Sequence, residues 1–303
     1  MKPSCNLVIG ASGFIGQSLV PMLNESNTFF LSKNKKKKKI NQNHFFIDIN
    51  NKKNISAFLN KLDKNYKKIT IYFLAGESSV EDSIQNPEKS FLNSIKGFAN
   101  ILANTSKKHS IIISSSGSLY DSREKIYFKE NDSLYPPSAY AASKIAIEGL
   151  ALSYFESFGL DIKIARIFSV FGENMERFFI YDLVKKIKSN PKKIILNGSG
   201  RQFRDFLHVN DVAKGLKLIS SKGKAGEIYN LCSGKKIKLD FLSKKIKIIL
   251  NETETEIEWD KRNYKGIRDS WYGNNSKIKK IGFKHENLEN KIDDTIKAIY
   301  SKI

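Results

Sequence analysis

Two side chains four residues apart, Tyr140 and Lys144, have the types and the spacing needed for acid–base chemistry. They begin a predicted helix, and residues four apart share one helix face, so both side chains can point into one site. An unperturbed phenol has a pKa of about 10 and exchanges protons poorly at neutrality, but a nearby ammonium favours the phenolate. Lowering that pKa by about three pH units requires roughly 4 kcal/mol of differential interaction free energy. The lysine and a positively charged ring beside the tyrosine could supply much of it. The pair therefore predicts a tyrosine proton donor or acceptor, unless Tyr140 merely packs and Lys144 is solvated.

Three consecutive serines, Ser114, Ser115 and Ser116, end an apolar segment, "IIISSS", that is typical of a buried strand. Ligands bind at the carboxyl ends of strands in an open parallel sheet. A serine there can donate a hydrogen bond to a substrate oxygen beside the tyrosine, although any single one could instead cap a helix or a turn. The ordered set of a glycine turn, a strand-end serine and a Y-x-x-x-K pattern indicates an active site much more specifically than any one of the three alone.

Three glycines spaced three apart, Gly10, Gly13 and Gly16, follow an apolar segment at 5–9 and precede apolar residues at roughly helical spacing. This order of strand, turn and helix predicts the dinucleotide-binding turn of a Rossmann domain. One glycine permits the tight turn, one lets the backbone approach a pyrophosphate, and one lets the helix pack closely on the strand. Pro21 lies inside the predicted helix and argues against it.

Strand-like and helix-like segments alternate through the first half of the chain. This alternation predicts an α/β fold, a Rossmann-type doubly wound parallel sheet with a smaller C-terminal α/β substrate-binding domain. We divide the chain into a dinucleotide-binding domain at 1–168 and a substrate-binding part at 169–303, interleaved with it through a strand near 227–231 that returns to the sheet. The other predicted strands are 5–9, 28–31, 45–47, 69–75, 110–114 and 161–168. The predicted helices are 55–62, 87–106, 139–158, 178–189 and 209–220, with a turn at 198–200.

The composition excludes several classes of protein. A chain of 303 residues with 40% hydrophobic residues can build a substantial core, and it has no apolar run of about 18 residues that would span a membrane. We expect no secretory signal peptide, because Lys2 is the only early charge, glycines interrupt the apolar stretch and no A-x-A cleavage site follows. Cys5 and Cys232 lie in strand-like segments, which predicts packed, reduced thiols and a cytoplasmic protein, and no zinc-type spacing of Cys and His exists.

The net charge of +21 raises nucleic-acid binding as a function. The lysines, however, are spread along the whole chain together with abundant Asn and Ile. The densest run, 35–39, is followed by no aromatic platform of the kind that stacks on single strands. We therefore do not expect nucleic acid as a partner, and we expect at most an attraction to anionic substrates or to an anionic membrane surface.

Several motifs together make the sequence resemble the extended short-chain dehydrogenases, in particular the NAD-dependent epimerase/dehydratase branch that acts on nucleotide sugars. The resemblance covers nearly the whole chain and includes "GASGFIG" (10–16), "IYFLAG" (71–76), "RIFSVFG" (166–172) and "GSGRQFRDFLHVNDVA" (198–213), of which the last is the most specific. Two positions depart from the family pattern: Gly76 replaces an alanine, and Ser169 replaces the usual sugar-contacting asparagine.

By this resemblance, Ser116, Tyr140 and Lys144 form the catalytic set. Tyr140 would exchange a proton with a sugar hydroxyl or ketone, Ser116 would polarise the same oxygen, and Lys144 would hold the nicotinamide ribose and lower the pKa of Tyr140. Arg201, Arg204 and Arg268 would lie near the diphosphate of the substrate, and Asp48 would contact the adenine of the dinucleotide. The implied dinucleotide contacts are Gly10, Ser12, Gly13, Phe14, Ile15, Gly16, Ser32, Lys33, Asn34, Asp48, Ile49, Leu74, Ala75, Gly76, Asn93, Ser114, Tyr140, Lys144 and Ile167. The implied substrate contacts are Ser78, Ser116, Gly117, Ser118, Ser169, Asn174, Arg201, Arg204 and Arg268.

The segment after the second strand bears on the choice of cofactor. NAD-selective members end that strand in Asp or Glu, which binds the ribose 2′-hydroxyl. Here the strand at 28–31 is followed by Ser32-Lys33-Asn34-Lys35, with no acid. A cation at this place favours a 2′-phosphate, so we expect NADP(H), with Lys33 and Lys35 as contacts. NAD(H) stays open because these lysines also fit the general lysine excess.

The site residues also narrow the reaction. The family's 4,6-dehydratases have a motif that resembles S-T-D-E here, whereas this chain has Gly117 and Ser118, so we do not expect dehydration. Members that epimerise C3 and C5 use a Cys–His pair, and neither cysteine of this chain is near the site, so we do not expect that activity either. We expect hydride transfer at C4 of a nucleoside-diphosphate sugar, as a net reduction or oxidation; "SSVEDSIQNP" (78–87) resembles 4-keto-6-deoxysugar reductases. The alternatives are a 4-epimerase with tightly bound NAD and a non-catalytic member that binds a dinucleotide or RNA. The resemblance also implies a homodimer through the helices around 87–106 and 139–158.

Overall fold

The computed structural model describes residues 2–33, 40–76, 79–123, 125–189, 192–252, 254–262 and 270–303. The strands are β1 Ser4–Ile9, β2 Thr28–Ser32, β3 His44–Phe46, β4 Lys68–Phe73, β5 Ser110–Ser116, β6 Tyr127–Phe128, β7 Asp161–Ile167, β8 Ser169–Phe171, β9 Lys193–Leu196, β10 Phe203–Arg204, β11 Phe206–His208, β12 Ile228–Leu231, β13 Ile237–Lys238, β14 Glu256–Trp259 and β15 Tyr272–Gly273. The α-helices are α1 Phe14–Leu19, α2 Lys52–Asn65, α3 Val80–Gln85, α4 Pro87–Leu102, α5 Ala139–Phe158, α6 Phe179–Lys188, α7 Val209–Lys222, α8 Leu239–Ile249, α9 Ser276–Lys280 and α10 Leu288–Lys302.

Seven parallel strands form the central sheet, in the order β12-β7-β5-β4-β1-β2-β3. The chain builds outward from β1 through β2 to β3 and then crosses to β4 on the other side. This reversal leaves a crevice at the carboxyl ends of β1 and β4, where ligands bind in doubly wound sheets. The predicted fold class is confirmed, and β12 pairs in parallel with β7 as the returning strand. The domain boundary at residue 168 stays a prediction.

Helices cover both faces of the sheet, and a separate core holds the C-terminal part together. Side chains of α2, α4 and α5 pack on one face, and those of α1, α7 and α9 pack on the other. A third hydrophobic cluster joins α6, α8 and α10 to β9 and β11. The crevice between this cluster and the sheet edge positions the site described below.

Two helices end earlier than the sequence patterns predict, and each has a local cause. Helix α1 stops at Leu19, and a short 3₁₀ turn at Val20–Met22 accommodates Pro21, which has no N–H for a longer α-helix. Helix α4 ends at Leu102 instead of 106 because the following side chains bond to its last free carbonyls. Thr105 Oγ1 donates to the Ile101 carbonyl oxygen at 2.7 Å, and Asn104 Nδ2 donates to the Asn100 carbonyl oxygen at 2.8 Å.

Both cysteines are buried and unpaired, as their strand-like context predicts. Burial raises the pKa of the Cys5 thiol to about 12, so it is unreactive at neutrality. Across the described ranges, no helix combines the length and the apolar character that crossing a membrane requires. Nor do three or more His, Cys, Asp or Glu side chains of those ranges form a group able to hold a metal ion.

Candidate active site

Helix α5 presents Tyr140 and Lys144 at the carboxyl edge of the sheet. The helix begins at a Ser138 cap, whose hydroxyl accepts the Ala141 N–H at 3.3 Å, so Tyr140 lies in the first turn. The Lys144 ammonium lies 5.7 Å from the centre of the Tyr140 ring and donates to the Ser114 carbonyl oxygen at 3.1 Å. Lys144 is only 6% exposed. A buried ammonium one turn below a phenol is the arrangement that stabilises a phenolate.

The three strand-end serines line the cleft and have different hydrogen-bond partners. Ser114 Oγ donates to the Phe73 carbonyl oxygen at 3.1 Å, and Ser115 Oγ donates to Glu148 at 2.5 Å. Ser116 Oγ lies 2.9 Å from Ser118 Oγ and accepts the Ser118 N–H at 3.2 Å. Ser116 thus lies at the end of β5 with its hydroxyl held by the next short turn.

A buried ion pair, absent from the sequence-based predictions, fixes α5 against the sheet. The Arg166 guanidinium of β7 meets the Glu148 carboxylate of α5 with contacts of 2.7 to 3.2 Å, and both side chains are nearly inaccessible. Glu148 is one turn after Lys144 and also receives Ser115. Glu148 therefore joins the helix that carries the tyrosine to β7 through Arg166 and to β5, the strand that carries the serine, through Ser115.

We expect Glu148→Ala to lower the free energy of unfolding by about 3–5 kcal/mol, because it leaves the Arg166 charge buried without its partner. Chemical denaturation measures the change. Glu156→Ala, an exposed position on the same helix, is the matched control and should change stability by at most about 0.5 kcal/mol. Equal effects of the two substitutions would contradict the role of the buried pair.

The glycine turn between β1 and α1 has the close approaches that a dinucleotide cradle needs. Gly10 has a φ of +92°, and a Cβ there would lie 3.0 Å from the backbone of Leu74 and Ala75. A Cβ at Gly16 would lie 2.4 Å from the Gly10 carbonyl oxygen. Side chains would therefore fill the turn at both positions. The turn thus packs directly on the end of β4, and a glycine turn of this kind that leads into a helix fits a pyrophosphate.

A cleft of about 1580 Å³ runs from this turn past Tyr140 to the C-terminal part of the chain. It brings together most of the residues that the sequence analysis assigned to cofactor and substrate. The assigned residues that line the cleft are Gly10, Ser12, Gly13, Phe14, Ile15, Gly16, Ser32, Lys33, Asp48, Ile49, Leu74, Ala75, Gly76, Asn93, Ser114, Ser116, Ser118, Tyr140, Lys144, Ile167, Ser169, Asn174 and Arg204.

Two assigned substrate contacts lie off the cleft wall. Gly117 is buried beneath the Phe168 ring, which a Cβ at that glycine would meet at 2.9 Å. Arg201 is exposed and is not part of the lining. Four assigned residues, Asn34, Lys35, Ser78 and Arg268, lie outside the described residues.

Two residues assigned to different parts of the cofactor contact each other. The Lys33 ammonium lies 3.0 Å from the Asp48 carboxylate, and both side chains are exposed to solvent, Lys33 at 69%. Slight burial raises the pKa of Asp48, but the Asn50 N–H and Lys33 outweigh it and hold that pKa below its usual range. Exposed pairs of this kind are worth at most about 1 kcal/mol, so a stronger anion can compete for the lysine.

Trp271 is a cleft residue that the sequence patterns did not identify. The Arg204 guanidinium lies over its ring, with Cζ 4.0 Å from the ring centre, and donates to the Phe203 carbonyl oxygen at 3.0 Å. Stacking and this bond hold the planar donor fork in one orientation at the cleft wall. The backbones of Arg204 and Trp271 also form an isolated β-bridge, and the two residues are 67 positions apart, so no local sequence motif predicts the pair.

We expect Trp271→Leu to weaken the binding of a nucleoside diphosphate such as UDP about five- to tenfold, the equivalent of a lost cation–π contact. Isothermal titration calorimetry measures the affinity. Trp271→Phe keeps an aromatic face under Arg204 and should lose less than the leucine variant. Unchanged UDP affinity in the leucine variant would show that the stacking does not prepare Arg204 for an anion.

Both the sequence and the fold of the chain are similar to those of known proteins. Residues 6–232 match the model of the NAD dependent epimerase/dehydratase family. The chain belongs to this family. It is 30% identical over 251 residues to the UDP-glucuronate 4-epimerase of Thermodesulfobacterium geofontis (strain OPF15), an alignment that covers 76% of this chain and 75% of that enzyme.

Two further known proteins extend the comparison. The chain is 28% identical over 172 residues to the dTDP-glucose 4,6-dehydratase of Streptomyces antibioticus, which covers 54% of this chain and only half of that enzyme. Its fold matches that of the UDP-N-acetylglucosamine 4-epimerase from Methanobrevibacter ruminantium M1, solved in complex with UDP-N-acetylmuramic acid, with a TM-score of 0.83, 27% identity and full coverage of both chains. The relatives therefore act on nucleotide sugars by more than one reaction.

Proposed function

We propose that the protein is an NAD(P)-dependent oxidoreductase that acts at C4 of a nucleoside-diphosphate sugar. The observation that carries this proposal is the buried Lys144 ammonium beneath the Tyr140 ring, in a cleft that Ser116 also lines and that begins at a glycine cradle. A nicotinamide dinucleotide in that cradle would supply or accept the hydride. The protein side chains then have to bind the sugar, orient its C4 oxygen and move one proton.

Each member of the proposed set has a distinct task. The Tyr140 phenol gives a proton to the C4 oxygen during reduction and takes it during oxidation. The Lys144 ammonium stabilises the phenolate that remains after proton donation, and its burial strengthens that effect. The Ser116 hydroxyl donates to the same oxygen, with Ser118 as its support.

The opposite wall of the cleft suits the diphosphate and the sugar. Arg204 presents a planar fork that bonds to two phosphate oxygens at once, in an orientation held by Trp271. Ser169 and Asn174 line the cleft and are proposed sugar contacts. A nucleoside-diphosphate sugar could then extend from the arginine to the tyrosine.

Dehydration fits this site less well than hydride transfer alone. Gly117 is buried against Phe168, and Ser118 bonds to Ser116, so neither position offers the extra carboxyl groups that elimination of water needs. A 4-epimerase with tightly bound NAD is the second candidate. It is favoured by the 4-epimerase that is 30% identical over most of both chains. Both candidates use the same proposed proton and hydride transfers at C4.

Cofactor exchange distinguishes the two candidates. Purified protein is incubated with nucleoside-diphosphate hexoses and their 4-keto derivatives, with and without NADPH or NADH, and products are separated by chromatography. A net reductase consumes one equivalent of added NADPH for each sugar, whereas a 4-epimerase interconverts the hexoses without added cofactor. Absence of any C4 reaction across the panel would contradict both. A homodimer through α4 and α5, implied by the resemblance, and a cytoplasmic location, predicted from the cysteines, remain predictions.

A further inference from the structure

The buried histidine His44 contacts the end of β2 and belongs to none of the residue sets assigned above. It is 2% exposed, at the start of β3 and edge-on to the Phe30 ring. Its Nδ1 atom accepts the Ile40 N–H at 3.0 Å, and its Nε2 atom lies 2.9 Å from Ser32 Oγ. A backbone N–H can only donate, so Nδ1 has no proton and Nε2 is the protonated nitrogen of the neutral ring. His44 therefore donates to the Ser32 hydroxyl.

The Ser32 oxygen accepts from a second group as well. The Ser12 N–H, in the glycine turn, points to Ser32 Oγ at 3.4 Å. A hydroxyl has two acceptor positions and one hydrogen, and these two donors occupy both acceptor positions. Ser32 lines the cleft, so the hydrogen that remains makes it a hydrogen-bond donor to a ligand there.

This polarity is opposite to that of NAD-selective sites. In those sites a carboxylate at the end of this strand accepts a hydrogen bond from the ribose 2′-hydroxyl. A donor matches the oxygens of a 2′-phosphate instead, because ionised phosphate oxygens only accept. We propose that His44 is a positioning residue that fixes Ser32 as a donor to the 2′-phosphate of NADP(H). The proposal rests on the dinucleotide-binding part of the proposed function and is independent of the reaction at C4.

The charges around Ser32 agree with a phosphate. Lys33 follows it directly, and its partner Asp48 holds it only through an exposed ion pair. A 2′-phosphate carries more charge than one carboxylate and can therefore draw the lysine to itself. Ser32 and Lys33 would then bind the phosphate from adjacent positions, one as a fixed donor and one as a movable cation.

Two isomeric probes test the proposal without catalysis. Adenosine 2′,5′-bisphosphate and adenosine 3′,5′-bisphosphate have the same charge, so the net charge of +21 attracts both equally. Calorimetry at physiological salt gives the ratio of their dissociation constants. We expect the 2′,5′ isomer to bind the wild-type protein at least about tenfold more tightly, the scale of a hydrogen bond to a charged group. Ser32→Ala should remove most of this preference, and Ser32→Asp should abolish it by placing like charges together.

The histidine variants test the positioning role itself. His44→Phe removes the donor to Ser32 and should lower the isomer preference, whereas His44→Gln can accept from Ile40 and donate to Ser32 and should retain it. If the phenylalanine variant does not fold, His44→Leu replaces it. Equal binding of the isomers to wild-type protein, or an unchanged preference in Ser32→Ala or in a folded variant without the His44 donor, would overturn the proposal. Tyr140→Phe should keep the preference and lose turnover, which separates this proposal from the reaction at C4.

Discussion

Replacing Tyr140 by phenylalanine should lower turnover of the nucleotide sugar at least about a hundredfold, the usual scale for loss of a general acid. The affinity for the dinucleotide should stay nearly unchanged. The substitution removes one oxygen and keeps the ring that lies above the Lys144 ammonium, so the packing of α5 is preserved. Steady-state kinetics gives the turnover, and fluorescence titration with the reduced dinucleotide gives the affinity.

Tyr154→Phe is the matched control for this experiment. Tyr154 lies on the same helix, half-buried against the Phe158 ring, and takes no part in the cleft. Its hydroxyl should be dispensable for turnover. If both phenylalanine variants retain wild-type turnover, Tyr140 is not the proton donor and the proposed chemistry is wrong.

Replacing Lys144 by methionine should lower both turnover and dinucleotide affinity. Methionine keeps most of the buried stem but removes the charge and leaves the Ser114 carbonyl oxygen without the ammonium at 3.1 Å. Without a neighbouring positive charge the phenolate form loses its electrostatic stabilisation, so the pH at which oxidation reaches half its maximum should move upward. We expect at least a hundredfold loss of turnover at neutral pH and about tenfold weaker dinucleotide binding.

A second buried lysine provides the control for Lys144. Lys163 of β7 is 5% exposed and bonds to Ser110, and it does not line the cleft. Lys163→Met should cost stability but leave the pH profile of turnover in place. An unchanged pH profile in Lys144→Met would show that the ammonium does not act on the phenol.

The sequence predicts those parts of the fold and site that depend on local patterns. Parallel α/β layering follows from the alternation of segments, and Tyr140 and Lys144 meet because they are one helical turn apart. The sequence also predicts the strand that returns from the C-terminal half, because Ile228, Tyr229 and Leu231 are residue types that favour or fit a buried strand. Membership of the family, confirmed by the match over residues 6–232, also follows from such motifs.

The contacts that the sequence could not predict join segments far apart in the chain. Glu148 meets Arg166, Arg204 stacks on Trp271, and Lys33 pairs with Asp48. None of these pairs has a spacing that periodicity detects, since each depends on how helices and strands are arranged in space. The choice between NADP(H) and NAD(H) cannot be predicted from the lysines after β2 alone. The same lysines in the sequence could bind a phosphate of the cofactor or a carboxylate of the protein.

The fate of the hydrogen at C4 of the sugar tests the central claim most directly. A nucleoside-diphosphate hexose with deuterium at C4 is incubated with the protein and oxidised dinucleotide, and the label is followed by NMR spectroscopy and mass spectrometry. Hydride transfer predicts that the deuterium moves to the nicotinamide or returns to C4 of the epimeric sugar, with none released to water. Release of the deuterium to the solvent, or retention of unreacted label across the panel of nucleotide sugars, would contradict a nicotinamide-dependent reaction at C4.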